Sequence, residues 1–227
     1  MTYNESLAWF IDNNSDAVHN LRYARTYDFL RDNLKTDSRI LELGGKSAFS
    51  SFLSSHTACT LSNCDSDLRG GFGVFPNTQD IVLCMEVIEH IKDLDTVADL
   101  AVFTGSGIRN MLSESFIALR PGGMFFLTTP NVCSHYNVFR LVRGHHPYMY
   151  QPHHRELAPR DVYQYLDAAG FVDVSFWTED VWAKHHMPNS DIVSVQGIFD
   201  RTEPVDMKGL RGDCIFAVGY KPTTDRA

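Results

Sequence analysis

Glu86, Glu89 and His90 close the stretch "IVLCMEVIEH", residues 81–90. Two carboxylates and an imidazole in so short a span can take up a proton or share a cation. If the chain is helical after Met85, the three sit at i, i+3 and i+4 and project from one face. The same residues also suit a plain helix start, where the macrodipole favours acids and a histidine caps or packs. A second polar group lies in "QPHHRELAP", residues 151–159, which brings His153, His154, Arg155 and Glu156 just ahead of a helix. Imidazoles titrate near neutral pH, so His90 and His153 are candidates for a general base.

A third segment, "ILELGGKSA" (40–48), sets Glu42 on an apolar run stopped by Gly44 and Gly45. Glycine lets backbone approach a ligand closely, and the helix that follows offers free N–H groups. Taken alone this is also the signature of an ordinary tight turn.

These residues need elements to hold them. Apolar runs bounded by turn residues predict strands at 38–43, 57–61, 80–85, 124–129, 171–177 and 214–220. Helical spacing predicts one or two helices over 5–34, one over 46–55, a helical stretch from Val87 to about Leu119 broken by a turn at 103–107, and one at 159–170. Strands alternating with helices imply an α/β fold with a doubly wound, mostly parallel sheet and helices on both faces. The last two strands have no clear helix between them, so the last is expected to be antiparallel. Ligands of such sheets sit beyond the carboxyl ends of the strands, which singles out Glu42 to Gly44, Asn63 to Asp65, Glu86 and Thr129 to Asn131. The expected organisation is one domain: a helical cap (1–37), a core (38–178) carrying an inserted active-site loop (130–158), and C-terminal strands (179–227).

The chain has 227 residues and a formal charge of −8, which argues against sequence-independent binding to nucleic acid. Its five cysteines are scattered without a C-x-x-C spacing, so neither a disulfide framework nor a zinc knuckle is expected. No apolar run reaches the roughly 18–20 residues of a membrane span, and "MTYNESLAWF" lacks the pattern of a secretory signal. The expectation is a cytoplasmic protein without a membrane partner.

In order along the chain, "ILELGG", "DIVLCMEVIEHI", "ALRPGGMFFLTTPN" and "DVYQYLDAAGF" resemble the seven-stranded, Rossmann-like S-adenosylmethionine-dependent methyltransferases. They are most similar to the branch with E-V-x-E-H followed by P-G-G and T-P-N. The resemblance implies that Glu42, Gly44 and Gly45 form the nucleotide-binding turn. It implies an acid on the ribose hydroxyls, for which Asp65 is the candidate and Asn63 the alternative. It places Glu86 beside the methionine end of the cofactor. In the similar small-RNA 2′-O-methyltransferases a divalent metal is bound by two acids and two histidines; Glu86, Glu89, His90 and His153 match those positions. Such a metal would acidify an acceptor hydroxyl.

Two departures stand out. The family's G-x-G-x-G turn reads here Gly44-x-Lys46-x-Ala48, and only residues 66–79 separate Asp65 from Asp80, too few for the usual helix and strand. They support a rival reading as a catalytically silent binding or scaffold subunit. A dinucleotide-dependent oxidoreductase is disfavoured by the missing G-x-G-x-x-G. The reading that follows is a methyltransferase acting on oxygen of a small-molecule or sugar-like acceptor. Tyr136, Tyr148, Met149 and Tyr150 either line the acceptor pocket or pack the loop. Trp9 and Phe10 are expected in the core more than in a lid, and 201–213 as a solvated connection.

Overall fold

The computed structural model describes residues 1–96, 102, 104–182, 189–202 and 209–223. In chain order its elements are α1 (Tyr3–Asn13), α2 (Asn20–Leu30), β1 (Arg39–Leu43), α3 (Ala48–His56), β2 (Thr60–Cys64), β3 (Gln79–Met85), α4 (Ser106–Ala118), β4 (Leu119–Pro130), α5 (His135–Val142), α6 (Pro159–Ala168), β5 (Val172–Glu179), α7 (Asn189–Thr202) and β6 (Cys214–Tyr220). Short 3₁₀ turns occupy Ala17–His19 and Ile88–His90.

The period-two rule of a strand divides the core. On β3, Val82 and Cys84 face one side of the sheet, while Ile81, Leu83 and Met85 face the other. The first side packs against Ile108, Met111 and Leu112 of α4 and Val162 and Leu166 of α6. The second packs against Phe10, Tyr23, Phe49 and Phe52 of α1, α2 and α3. A strand covered on both faces must be apolar throughout, hence the unbroken run in β3. Phe10 is fully buried, as expected, with Trp9 edge-on at 5.3 Å.

The sheet order is β2-β1-β3-β4-β6-β5. β1 pairs in parallel with β2 and β3, β3 with β4, and β6 runs antiparallel to both β4 and β5. The antiparallel last strand is therefore as expected. The strand count is not: seven strands were expected from the resemblance, and the sheet has six among the described residues. Residues 65–78 hold only turns and bends, so nothing extends the sheet beyond β2.

Other expectations change. The second strand lies at Thr60–Cys64, not 57–61, which puts Asp65 immediately past its end. The helix expected from Val87 is replaced by the 3₁₀ turn and by irregular chain through residue 96; residues 97–101 and 103 lie outside the described residues. A helix, α7, does separate the last two strands. The 130–158 loop contains α5. Of the expected solvated connection 201–213, residues 203–208 lie outside the described residues, and its end is an anchor: Asp213 is 1% exposed and accepts the amides of Val181 (2.7 Å) and Trp182 (2.9 Å). No helix among the described residues is long and apolar enough to cross a membrane. All five cysteines are unpaired.

Candidate active site

The glycine turn after β1 is built by local conformation. Gly44 (φ +87°) and Gly45 (φ +96°) occupy the left-handed region, and both amides donate to the Cys64 carbonyl, at 2.8 and 3.2 Å. A Cβ on Gly44 would lie 2.6 Å from Cγ2 of Val87. Lys46 and Ala48, where the family pattern has further glycines, do not take positive φ, and Lys46 is exposed. Only the first two positions therefore require glycine.

Glu42 is 2% exposed and organises this turn. It accepts Ser47 Oγ (2.5 Å), Ser50 Oγ and Asn63 Nδ2 (2.8 Å). Burial pushes its carboxyl up, against the hydrogen bonds from Ser47 that pull it down. Ser47 in turn caps α3, its Oγ accepting the amides of Phe49 and Ser50. Asn63 has its amide committed to Glu42, whereas Asp65 is exposed, its Cβ 3.6 Å from where a Gly45 side chain would begin.

At the end of β3 the chain breaks from the strand. Glu86 takes φ +59°, uncommon for a residue with a Cβ, and its amide donates to the Thr128 carbonyl at 2.9 Å. Glu86 therefore does not share a helical face with Glu89 and His90, contrary to the spacing argument. Its carboxylate lies 3.9 Å from Nε of Arg22, a side chain that α2 sends inward to 2% exposure. The Arg22 guanidinium donates to Thr128 Oγ1 (3.2 Å) and lies over the Tyr23 ring at 4.5 Å. Burial raises the Glu86 carboxyl, and Arg22 is the largest opposing influence.

The 3₁₀ turn brings Glu89 and His90 beside His153. Ligand atoms of these three lie within 4.8 Å of one another, and Glu86 stands outside that group. Glu89 is fully buried: Oε2 accepts Thr129 Oγ1 at 2.9 Å, while Oε1 has no hydrogen-bond partner and lies 3.9 Å from His153 Nε2. Its carboxyl is pushed well above the ordinary range, by burial first and Glu86 second. His153 Nδ1 is held at 2.7 Å by Glu156, which also accepts the Met149 amide (2.6 Å) and the Asn137 side chain (3.0 Å). The amides of His154 and Arg155 donate to the Glu89 carbonyl, at 2.8 and 3.0 Å, tying the 150s segment to the turn. Burial, with His153 second, lowers the His90 imidazole below its usual pKa, so it is neutral at neutral pH.

Glu86, His90 and His153 open onto a cleft of about 740 Å³ that is also lined by Tyr136, Met149, Tyr150, Asp16, His19 and Trp182. Three of the four loop residues considered for an acceptor pocket thus line it; Tyr148 instead stacks on His146 at 4.0 Å. His185 and His186 lie outside the described residues. A second hollow of about 580 Å³, beside the start of β5, shares no lining residue with the first.

Sequence reasoning missed Arg22, His19 and Trp182 altogether. Arg22 and Arg25 look alike in "NLRYARTYDFL", yet Arg25 is 43% exposed and pairs with Glu179 on the surface. No local signal separates them. The position of His153 three residues before Glu156 was visible, and that spacing is what pairs them.

A family model described as "Methyltransferase domain" matches residues 17–175. Among curated proteins none matches. The fold is similar to that of a SAM-dependent methyltransferase from Archaeoglobus fulgidus (TM-score 0.58, 14% identity, covering 94% of this chain and 99% of that one). It is also similar to a phosphoethanolamine N-methyltransferase from Haemonchus contortus in complex with S-adenosyl-L-methionine (0.54, 14%, covering 96% and 60%); the chain thus spans less than two thirds of that relative. The [4+2]-cyclase SpnF is a further neighbour (0.52, 14%, 88% and 81%), so likeness of fold does not by itself fix the reaction. The family match covers most of the chain, from α2 into β5, and includes the glycine turn together with Glu86, His90 and His153: the chain belongs to the methyltransferase domain family.

Proposed function

We propose that the chain uses S-adenosylmethionine to methylate an oxygen of a small-molecule or sugar-like acceptor. The observation that carries this reading is the cleft at the carboxyl ends of β3 and β4, where Glu86, His90 and His153 face a common space beside the glycine turn. The donor fits on structural grounds. Gly44 and Gly45 turn the backbone at positive φ, and Glu42 locks that turn. Asp65 is open at the end of β2 for a ribose diol, whereas Asn63 is already engaged. Glu86 would lie at the methionine end.

The methyl group of a sulfonium is already activated, so the protein has to align the acceptor and remove its proton. Fixing one imidazole nitrogen against a carboxylate leaves the other free to accept a proton. Glu156 does this for His153 at 2.7 Å. His90, neutral and with its ring 4.8 Å from that of His153, is the second candidate. The unpartnered Glu89 Oε1 with the two imidazoles also forms a mixed O and N donor set for a divalent cation. Bound there, a metal would supply Lewis-acid acidification of the acceptor hydroxyl. Glu86 is left to the donor. The similarity of the E-V-x-E-H and T-P-N segments to metal-using 2′-O-methyltransferases supports Glu89, His90 and His153 as ligands; it would add Glu86, which here turns to Arg22 instead.

Two measurements test this. In a calorimeter, S-adenosylmethionine should bind the wild type saturably in the micromolar range, and Asp65→Ala should weaken it roughly tenfold to a hundredfold, the worth of a charge-assisted hydrogen-bond pair. No binding by the wild type would remove the donor and favour a silent, scaffold-like role. Manganese titrated into the donor-loaded protein and followed by paramagnetic resonance should fill one site that Glu89→Gln and His153→Ala each abolish. If manganese stays free in solution, proton removal falls to the histidines alone.

A further inference from the structure

We infer that the acceptor is an aromatic or similarly flat apolar molecule that carries no negative charge. This inference rests on the methyltransferase reading above and names its substrate class. Among the described residues that line the cleft there is no lysine or arginine, while Asp16 and Glu86 both contribute carboxylates. Arg22 is sealed behind Glu86 and does not line the space. The Asp16 side chain is 61% exposed at the rim. His19 supplies no compensating charge. Burial, with Arg22 second, lowers its pKa to about 4, so it is neutral at any physiological pH. A phosphate or carboxylate entering here would meet the Asp16 carboxylate at the rim and find no cation among the described lining residues to pair it.

The remaining wall is built for rings. Tyr136 and Tyr150 line it together with His19 and Trp182, whose rings meet edge to face at 6.5 Å. Trp182 Nε1 and His19 Nδ1 are buried without a hydrogen-bond partner. Groups left in that state are uncommon in folded proteins. Aromatic walls take flat ligands and also welcome a cation against their faces.

Three phenols that differ only in the tail test the idea: tyramine (cationic), 4-ethylphenol (neutral) and 4-hydroxyphenylacetate (anionic). Each is titrated by ligand-observed NMR into protein saturated with S-adenosylhomocysteine, whose own binding is measured first. The expected order is tyramine tighter than or equal to 4-ethylphenol, with 4-hydroxyphenylacetate weaker than both by roughly tenfold. Asp16→Asn should narrow the gap between cation and anion, and Trp182→Ala should weaken all three, with the fold checked by circular dichroism. Binding of the anionic phenol as tight as the neutral one overturns the inference, and so does failure of all three to bind loaded protein. If the phenols follow the expected order on protein that does not bind S-adenosylhomocysteine, the acceptor class stands and the donor assignment falls.

Discussion

Arg22→Met should destabilise the protein by about 3 kcal/mol, the scale seen when one partner of a buried ion pair is removed. Methionine fills similar length without charge. It leaves the Glu86 carboxylate, only 14% exposed, beside Cys214 and without its cation, and it leaves Thr128 Oγ1 without its donor. Urea unfolding monitored by tryptophan fluorescence measures the loss. The companion Arg22→Met/Glu86→Gln variant should regain a large part of it, because the uncompensated charge is gone. A loss below about 1 kcal/mol for the single variant would mean that Glu86 sheds its charge when Arg22 is removed.

Gly44→Ala should have the second-largest effect, and on two properties at once. Alanine at φ +87° is strained, and its Cβ would sit 2.6 Å from a methyl of Val87, a β-branched side chain with little freedom to turn away. A cost of about 2–3 kcal/mol is expected, with a loss of at least tenfold in donor affinity as the turn shifts. Val87→Ala in the same chain should recover the steric part and not the backbone part. Comparing the midpoints of the single and double variants separates the two. Full recovery would show that φ strain is unimportant at this turn.

How much of this could be read from the chain itself depends on whether a property is local. Buried strands announce themselves, and "DIVLCM" and "CIFAVGY" became β3 and β6 with little change. The glycine turn was equally legible, since two adjacent glycines after an apolar run leave few alternatives. The Glu86–His90 group was found by residue type but misread in geometry. Helical spacing at i, i+3 and i+4 was assumed, whereas the positive φ of Glu86 turns that residue towards Arg22 and leaves only Glu89 and His90 for His153. That turn is set by tertiary pairing, through the Glu86 amide on the Thr128 carbonyl, which no short window contains. Arg22 was invisible for the same reason: its partners, Glu86 and Thr128, lie far along the chain. The seventh strand that the resemblance implies is not found among the described residues; residues 66–79 are too few to hold a helix and a strand.

The segment that carries His153 is fastened at both ends. Asn131 bridges to Leu157 and reaches the carbonyls of Leu210 and Gly212, while the amides of His154 and Arg155 rest on the Glu89 carbonyl. A loop so anchored loses its conformational entropy when the protein folds, once, and not again in each turnover. The imidazole then waits in register with the oncoming acceptor, and more of the acceptor's binding energy remains for bringing oxygen and methyl into line.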